Sequence, residues 1–250
     1  MALIVREIQA KTILSKSGIP GADYCVNAYV GCAHACVYCY ATFMKRYTGH
    51  DEAWGSFVDV RVNAPELLRK QLRRAGRGSV MLSSVTDAYQ PLEARCRLTR
   101  QCLEVLLEYQ FPVDVLTKSP LVLRDLDIIK QFDDIDVGIT ITTDDDRMRR
   151  IFEPGAPPIG ARVNALKKLK EAGIRTYVFV GPMLPMDPEA LGREIGEHAD
   201  SVLVSRMNYV SKTAHIFRKL GRPQWLEKEF CADIKAKLTR SIGGHKVKFC

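Results

Sequence analysis

The sequence predicts an α/β protein of parallel strands joined by crossover helices. Two observations carry this. Short runs rich in Val, Ile, Thr and Tyr alternate about six times with segments of helical periodicity. The chain has 250 residues, 46% hydrophobic and 26% charged, which suits one folded domain and not a disordered tail.

The elements follow in order. Strands are predicted at Val26–Tyr29, Val80–Ser84, Val113–Thr117, Ile135–Thr142, Thr176–Val180 and Ser201–Ser205, each short enough to be buried. Asn63 stands as an N-cap before a helix over Ala64–Ala75, with Pro65 in its first turn. Thr99–Tyr109 places Cys102, Leu103, Leu106 and Leu107 on one side of a second helix. Further helices are predicted over Leu121–Phe132, Ala161–Ala172 and Pro188–His198, with Gly173 as a stop. The sheet is either open and doubly wound or curved into a barrel, and six units are fewer than the eight of a closed barrel. Either way, chemistry sits beyond the carboxyl ends of the strands. That singles out loops 30–40, 84–93, 117–119, 142–160, 181–187 and 206–209. A single domain spans 1–250, with a core at about 22–210 and a C-terminal extension at 211–250.

The formal net charge is +8. Arg69, Lys70, Arg73, Arg74 and Arg77 form one basic group, and Lys167, Lys168 and Lys170 another. Both read first as solvated helix faces, although a basic surface also attracts phosphates and keeps a nucleic acid open as a partner. Residues 1–18 lack the apolar core of a signal peptide, and no apolar run approaches a membrane span. The expected location is therefore the cytoplasm, with no membrane partner. Eight cysteines in a reducing compartment point to metal or redox chemistry.

The strongest signal is Gly31-Cys32-Ala33-His34-Ala35-Cys36-Val37-Tyr38-Cys39-Tyr40, directly after the first predicted strand. Three cysteines at this spacing can hold a 4Fe–4S cluster with one iron left without a thiolate, the open position that catalysis needs. Two other readings stand beside it. One is a zinc site completed by His34 or a distant cysteine, which lacks the usual second ligand pair. The other is a closed cluster with Cys25 as fourth ligand, although Cys25 precedes the predicted strand, at its opposite end. His34 reads as a loop residue. Cys96 and Cys102 read as small core or surface residues. Cys231 and Cys250, nineteen positions apart, do not make a second cluster site.

The C-x3-C-x2-C pattern with Tyr38 before its last cysteine resembles the signature of the radical S-adenosylmethionine (SAM) superfamily. Further motifs resemble its spore photoproduct lyase–like branch: Asn27-x-Tyr29-x-Gly31-Cys32, Cys39-Tyr40-Ala41, Thr86-Asp87-x-Tyr89-Gln90-Pro91-x-Glu93, Leu98-Thr99-Arg100, Thr117-Lys118-Ser119, Arg124-Asp125 and Glu153-Pro154. The resemblance implies a partial (β/α)6 TIM-type barrel. It implies that Cys32, Cys36 and Cys39 ligate a 4Fe–4S cluster whose open iron is chelated by SAM. Reductive cleavage of SAM then gives a 5′-deoxyadenosyl radical that abstracts hydrogen from substrate, fed by an external ferredoxin- or flavodoxin-like donor. Tyr38 would lie against the adenine, Thr86 and Asp87 near the aminoacyl part, and Lys118 at the SAM carboxylate.

The residues themselves allow these roles. Thr86 can donate and accept hydrogen bonds and Asp87 can meet an ammonium, although Asp, Tyr, Gln and Pro in succession also read as a turn. Lys118 can act as a fixed positive charge or be an ordinary surface lysine. Thr140 and Thr142 share one face of the fourth strand, where either can bond SAM or simply suit a strand. Glu153 lies in the long loop behind Asp144, Asp145 and Asp146, which read as solvated. Arg162 opens the next helix as a carboxylate binder or an exposed residue. Arg206 and Asn208 follow the sixth strand, within reach of a substrate.

One position departs from the branch. Its thymine-dimer repair needs a cysteine that returns a hydrogen atom, and the matching position here is Ser84, whose O–H bond is far stronger than an S–H bond. The resemblance therefore does not carry the substrate over. The competing functions are a non-catalytic 4Fe–4S electron carrier and a zinc-stabilised nucleic-acid-binding protein.

Overall fold

The computed structural model describes residues 3–243 and 246–249. The chain opens with strands β1 (Ile4–Ile8), β2 (Leu14–Lys16), β3 (Tyr24–Val26) and β4 (Tyr29–Val30). A 3-10 helix over Tyr40–Tyr47 follows, then β5 (Phe57–Arg61), α1 (Ala64–Leu72) and β6 (Val80–Leu82). Next come α2 (Glu93–Cys96), α3 (Leu98–Glu108), β7 (Val113–Thr117), a 3-10 turn over Pro120–Asp125 and α4 (Leu126–Ile129). The rest is β8 (Ile135–Thr140), α5 (Asp146–Phe152), α6 (Ile159–Glu171), β9 (Arg175–Val180), α7 (Pro188–Gly196), β10 (Ser201–Val204), α8 (Val210–Lys219), α9 (Lys228–Ile242) and β11 (Val247–Phe249).

The main sheet has eight strands in the order β2-β3-β6-β7-β8-β9-β10-β11. From β3 to β11 every neighbouring pair is parallel, and only β2 runs antiparallel, on the edge beside β3. Sequential order with crossovers of one hand keeps the helices on one face, so the sheet curves as a partial TIM-type barrel and is not doubly wound. Alternation along the strands sets the two faces. Val113 and Val115 of β7, Val137 and Ile139 of β8, and Val178 and Val180 of β9 join the core formed with Leu103, Leu106 and Leu166 of the helices. Asp114, Leu116, Asp136, Gly138 and Tyr177 lie on the other, concave side. Gly138 has no side chain because the Tyr177 ring crosses it: a Cβ there would lie 2.2 Å from the ring.

Several expectations change. The first predicted strand is two pieces. Tyr24–Val26 pairs with β6, whereas Tyr29–Val30 pairs antiparallel with β5 in a separate sheet, β1-β5-β4. The break is at Asn27, whose amide donates to Ser84 Oγ at 3.2 Å and whose Oδ1 accepts from the Val85 N–H at 3.0 Å. Cys25 consequently sits inside the strand, not before it. Asn63 occupies the N-cap position of α1, but its side chain makes no capping bond. Its side chain exchanges two hydrogen bonds with the Ala10 backbone, at 2.8 and 2.9 Å. The helix expected over Leu121–Phe132 is a 3-10 turn, capped by Ser119 and led by Pro120, followed by the short α4. The fourth strand stops at Thr140, so Thr142 is already in the loop. The C-terminal extension ends in β11, which lengthens the sheet in register with β10, Val202 opposite Val247. Among the described residues, no helix is long and apolar enough to cross a membrane.

Candidate functional site

The cysteine loop leaves β4 at the carboxyl end of the sheet and is wedged between three parts of the chain. Gly31 has φ +87°, and a Cβ there would lie 2.4 Å from the Phe57 carbonyl of β5. On the opposite side, a Cβ on Gly155 would lie 2.1 Å from the Ala33 carbonyl. Backbone bonds tie the loop to the segment after α5: Val37 N–H donates to the Phe152 carbonyl at 2.9 Å, and Gly155 N–H to the His34 carbonyl at 3.0 Å. From α8, the Lys212 ammonium donates to the Cys39 carbonyl and Thr42 Oγ1, both at 2.6 Å.

Cys32, Cys36 and Cys39 are free thiols, the first buried and the others half-buried. Burial, then the nearby Asp87, pushes the Cys32 thiol up to about 12. Burial also raises Cys36 and Cys39, with the neighbouring Lys118 working the other way. Cys32 and Cys39 both act electrostatically on Cys36, so the three thiols share one small region. Among the described residues, no three His, Cys, Asp or Glu side chains form a single-ion site.

Two buried carboxylates flank the loop. Asp87, on the turn after β6, has both oxygens engaged. Oδ1 accepts from Tyr89 N–H at 2.9 Å and Thr117 Oγ1 at 2.6 Å. Oδ2 accepts from Lys118 N–H at 2.8 Å and lies 3.3 Å from His34 Nδ1. Burial works against the charge, yet His34, Thr117 and the Lys118 N–H hold the carboxyl well below its ordinary value. Asp87 thus fastens the end of β7 to the cysteine loop. Thr86 is similarly occupied, with Oγ1 donating to the Gly31 carbonyl at 2.6 Å.

Glu153 is the second. It is fully buried and faces Arg162 at 2.5 Å, itself fully buried at the start of α6. Tyr38 donates its hydroxyl to Glu153, and Thr142 Oγ1 donates at 3.1 Å. The Lys118 ammonium stands 4.0 Å from Glu153 and 5.9 Å from the centre of the Tyr38 ring. Burial opposes ionisation of Glu153, but Arg162 and Lys118 keep it below its ordinary value. Burial likewise works against Lys118, and the neighbouring Cys36 and Glu153 raise it nonetheless. Thr140 is buried at the end of β8, and its carbonyl accepts from Arg162 Nη1 at 3.1 Å.

The arrangement brings Cys32, Cys36, Cys39, Tyr38, Thr86, Asp87, Lys118 and Thr142 together at the carboxyl ends of the strands, with Thr140 joined to them through Arg162. A family comparison then decides the identity: the radical SAM superfamily matches residues 26–196. The chain belongs to the radical SAM superfamily. It is therefore an enzyme of a family that uses a 4Fe–4S cluster and S-adenosylmethionine. An uncharacterized protein of Methanocaldococcus jannaschii is 41% identical over 179 residues, which covers 72% of this chain and 67% of that protein. An uncharacterized protein of Mycobacterium tuberculosis is 32% identical over 209 residues, and there the chain spans 59% of the relative's length. Among solved structures, spore photoproduct lyase complexed with dinucleoside spore photoproduct shares the fold, with a TM-score of 0.68 at 15% identity, covering 98% of this chain and 82% of that one.

Sequence reasoning underrated three residues. Arg162 was open between carboxylate binder and exposed residue, and it is a buried ion-pair partner. His34 meets Asp87. Gln90, quoted only as part of a motif, is fully buried beneath the cysteine loop. The basic groups singled out by charge lie elsewhere: Arg69 pairs with Glu108 and Lys170 with Asp200, on the outer helices. Cys102 is core, Cys96 half-buried and Cys231 buried, whereas Cys250 lies outside the described residues.

Proposed function

We propose that Cys32, Cys36 and Cys39 hold a 4Fe–4S cluster and that Lys118, Tyr38 and Thr142 line the place of SAM. The observation that carries this reading is the grouping of three free thiols on one strand-end loop, with the Lys118 ammonium electrostatically coupled to Cys36 and Cys39. The donor set fits the cluster. It offers three thiols and no fourth in the loop, and it is not laid out around a single ion, which disfavours zinc. A bound cluster and SAM supply reductive cleavage to a 5′-deoxyadenosyl radical that abstracts hydrogen from substrate.

The chain's own residues do the rest. Lys118 presents a fixed positive charge to a ligand carboxylate, kept ionised by Glu153. Glu153 and Arg162 hold the Tyr38 hydroxyl, which fixes one edge of its ring for an adenine. Thr86 and Asp87, expected as direct contacts, act through the loops they bind, and Thr140 through Arg162. The reductant is an external ferredoxin- or flavodoxin-like donor, and the single domain 1–250 is the catalytic unit.

For the substrate, a nucleic-acid strand is favoured by the rim beside the thiols. Tyr40, Phe43, Tyr47 and Tyr209 are all more than 40% exposed, and Tyr40 stacks on Tyr209 with centroids 6.4 Å apart. Segments 40–47 and 206–212 carry Lys45, Arg46, Arg206 and Lys212 and no carboxylate. Exposed rings with cations form a stacking platform for bases.

Anaerobic reconstitution with SAM and dithionite tests the chemistry. 5′-Deoxyadenosine that requires all three cysteines is the expected product. A loaded protein that neither binds nor cleaves SAM would leave an electron carrier. Single-stranded oligonucleotide binding should weaken steeply with salt, and binding indifferent to salt, or none, removes the nucleic-acid reading.

A further inference from the structure

Gln90 is fully buried in the turn between β6 and α2. Its carboxamide grips the backbone on both sides of Cys32. Oε1 accepts from the Ala33 N–H at 3.0 Å, and Nε2 donates to the Gly31 carbonyl at 3.3 Å. Nε2 also donates to Thr86 Oγ1 at 3.0 Å, whose own hydroxyl proton goes to the same Gly31 carbonyl. One side chain thus does what a neighbouring strand would do for Cys32: it supplies an acceptor to the following N–H and a donor to the preceding C=O. A carboxamide offers both in one plane without depending on protonation. Glutamate has the size but no donor for the Gly31 carbonyl, and methionine fills the volume with neither group.

The clasp has a purpose that packing alone does not demand. The loop has no regular structure here, and its backbone is strained at Ala35, with φ +53°, whereas Gly31 takes +87° freely. The direction of the Cys32 sulfur depends on the peptide planes that flank it, and Gln90 holds both. We infer that Gln90 is a positioning residue that presets the Cys32 thiol for its metal centre, by pinning the two peptide groups around it. The inference rests on the reading of Cys32 as a cluster ligand.

The test uses the full chain, with Gln90→Met and Gln90→Glu. In the cluster-free protein, hydrogen exchange at the Ala33 amide should be about tenfold faster in Gln90→Met, as expected for loss of a buried pair of hydrogen bonds. Gln90→Glu keeps the acceptor for Ala33, so its exchange there should stay near the original rate. In the reconstituted proteins, both variants should shift the electron paramagnetic resonance spectrum of the reduced cluster, because Cys32 is no longer held at its original angle. Unchanged exchange in Gln90→Met, or unchanged spectra in both variants, overturns the inference. If Gln90→Met fails to fold, the spectrum of Gln90→Glu decides alone. Failure of the underlying reading is separate: Cys32→Ala would then load a cluster with the spectrum of the unaltered protein.

Discussion

Asp87 and Glu153 are two carboxylates buried to a similar degree on opposite sides of one loop, and they are wired in opposite ways. Asp87 is satisfied by two backbone N–H groups, a hydroxyl and His34. Glu153 is flanked by two cations, Arg162 and Lys118, and accepts from the Tyr38 and Thr142 hydroxyls. The first pattern fixes main chain: it ties the ends of β6 and β7 to the cysteine loop. The second stores charge, because a buried anion between two cations keeps an ammonium charged in a place where burial opposes it. The lesson is that burial of a carboxylate says little about its job, and the partners say most.

The largest effect that bears on this contrast comes from the loop both carboxylates flank. Cys36→Ala should abolish cluster loading, read as loss of the visible iron–sulfur absorbance, with circular dichroism of a folded barrel retained. A loaded, active variant would remove Cys36 from the ligand set. Next is Glu153→Gln, which leaves the Arg162 guanidinium buried without a counter-charge. A loss of about 3–5 kcal/mol in denaturant unfolding is expected, as for other broken buried pairs. Asp87→Asn leaves no buried guanidinium or ammonium without its counter-charge, so the cost should be smaller, about 1–3 kcal/mol for misdirected hydrogen bonds and the lost His34 contact. Equal costs for the two would erase the distinction between them. Lys118→Ala should weaken SAM binding about tenfold while leaving the cluster spectrum intact, the size of one lost charge-assisted hydrogen bond. Unaltered affinity would mean that the charge held by Glu153 serves something other than SAM.

A third carboxylate sharpens the comparison from the other end. Among the described residues, Asp114, on the concave face, accepts from one neutral donor, the Tyr177 hydroxyl at 2.8 Å, and pairs with no cation. Burial, with Asp136 nearby, pushes it up to about 6. The folded state therefore holds this proton more tightly than the unfolded chain. Stability contributed by the protonated form is lost as pH rises from about 4 to about 6, and the loss is complete above that. Asp114→Asn cannot ionise, so its thermal midpoint should gain on the unaltered protein across that window and then stay level. In unfolding free energy the full gain should be about 3 kcal/mol. A difference that does not change with pH would place the Asp114 carboxyl in water.

Much of this was legible in the sequence, for reasons that differ by residue. The cysteine loop was visible because ligand spacing is local, and the strand ends were visible because apolar runs stop there. Thr117 and Lys118 are an example, at the point where β7 ends. The split of the first strand was not visible, because it depends on Asn27 finding Ser84 and Val85 more than fifty residues away. The helix predicted over 121–132 had the right periodicity, but Ser119, Pro120 and the ion pairs of Asp125 with Arg100 and Arg124 favoured a tighter turn. Arg162 and Glu153 could be noticed singly. Their pairing is tertiary, and no spacing rule announces it. Gln90 looked like a turn residue because it is one, and its second task depends on a loop nearly sixty residues upstream.

The sequential strand order has a consequence for how the site comes into being during synthesis. A chain emerges from the ribosome amino end first, and a domain folds as a unit once enough of it is out. The strands that carry the cysteine loop appear first, and the turn with Thr86, Asp87 and Gln90 arrives some fifty residues later. The partners of Val37, His34 and Tyr38, namely Phe152, Gly155 and Glu153, come more than a hundred residues after the loop itself. For that interval the three thiols ride on a ribbon closed on one side only. The ties to Phe152, Gly155 and Glu153, and after them the Lys212 ammonium on the Cys39 carbonyl, all come from segments that a ribosome delivers late.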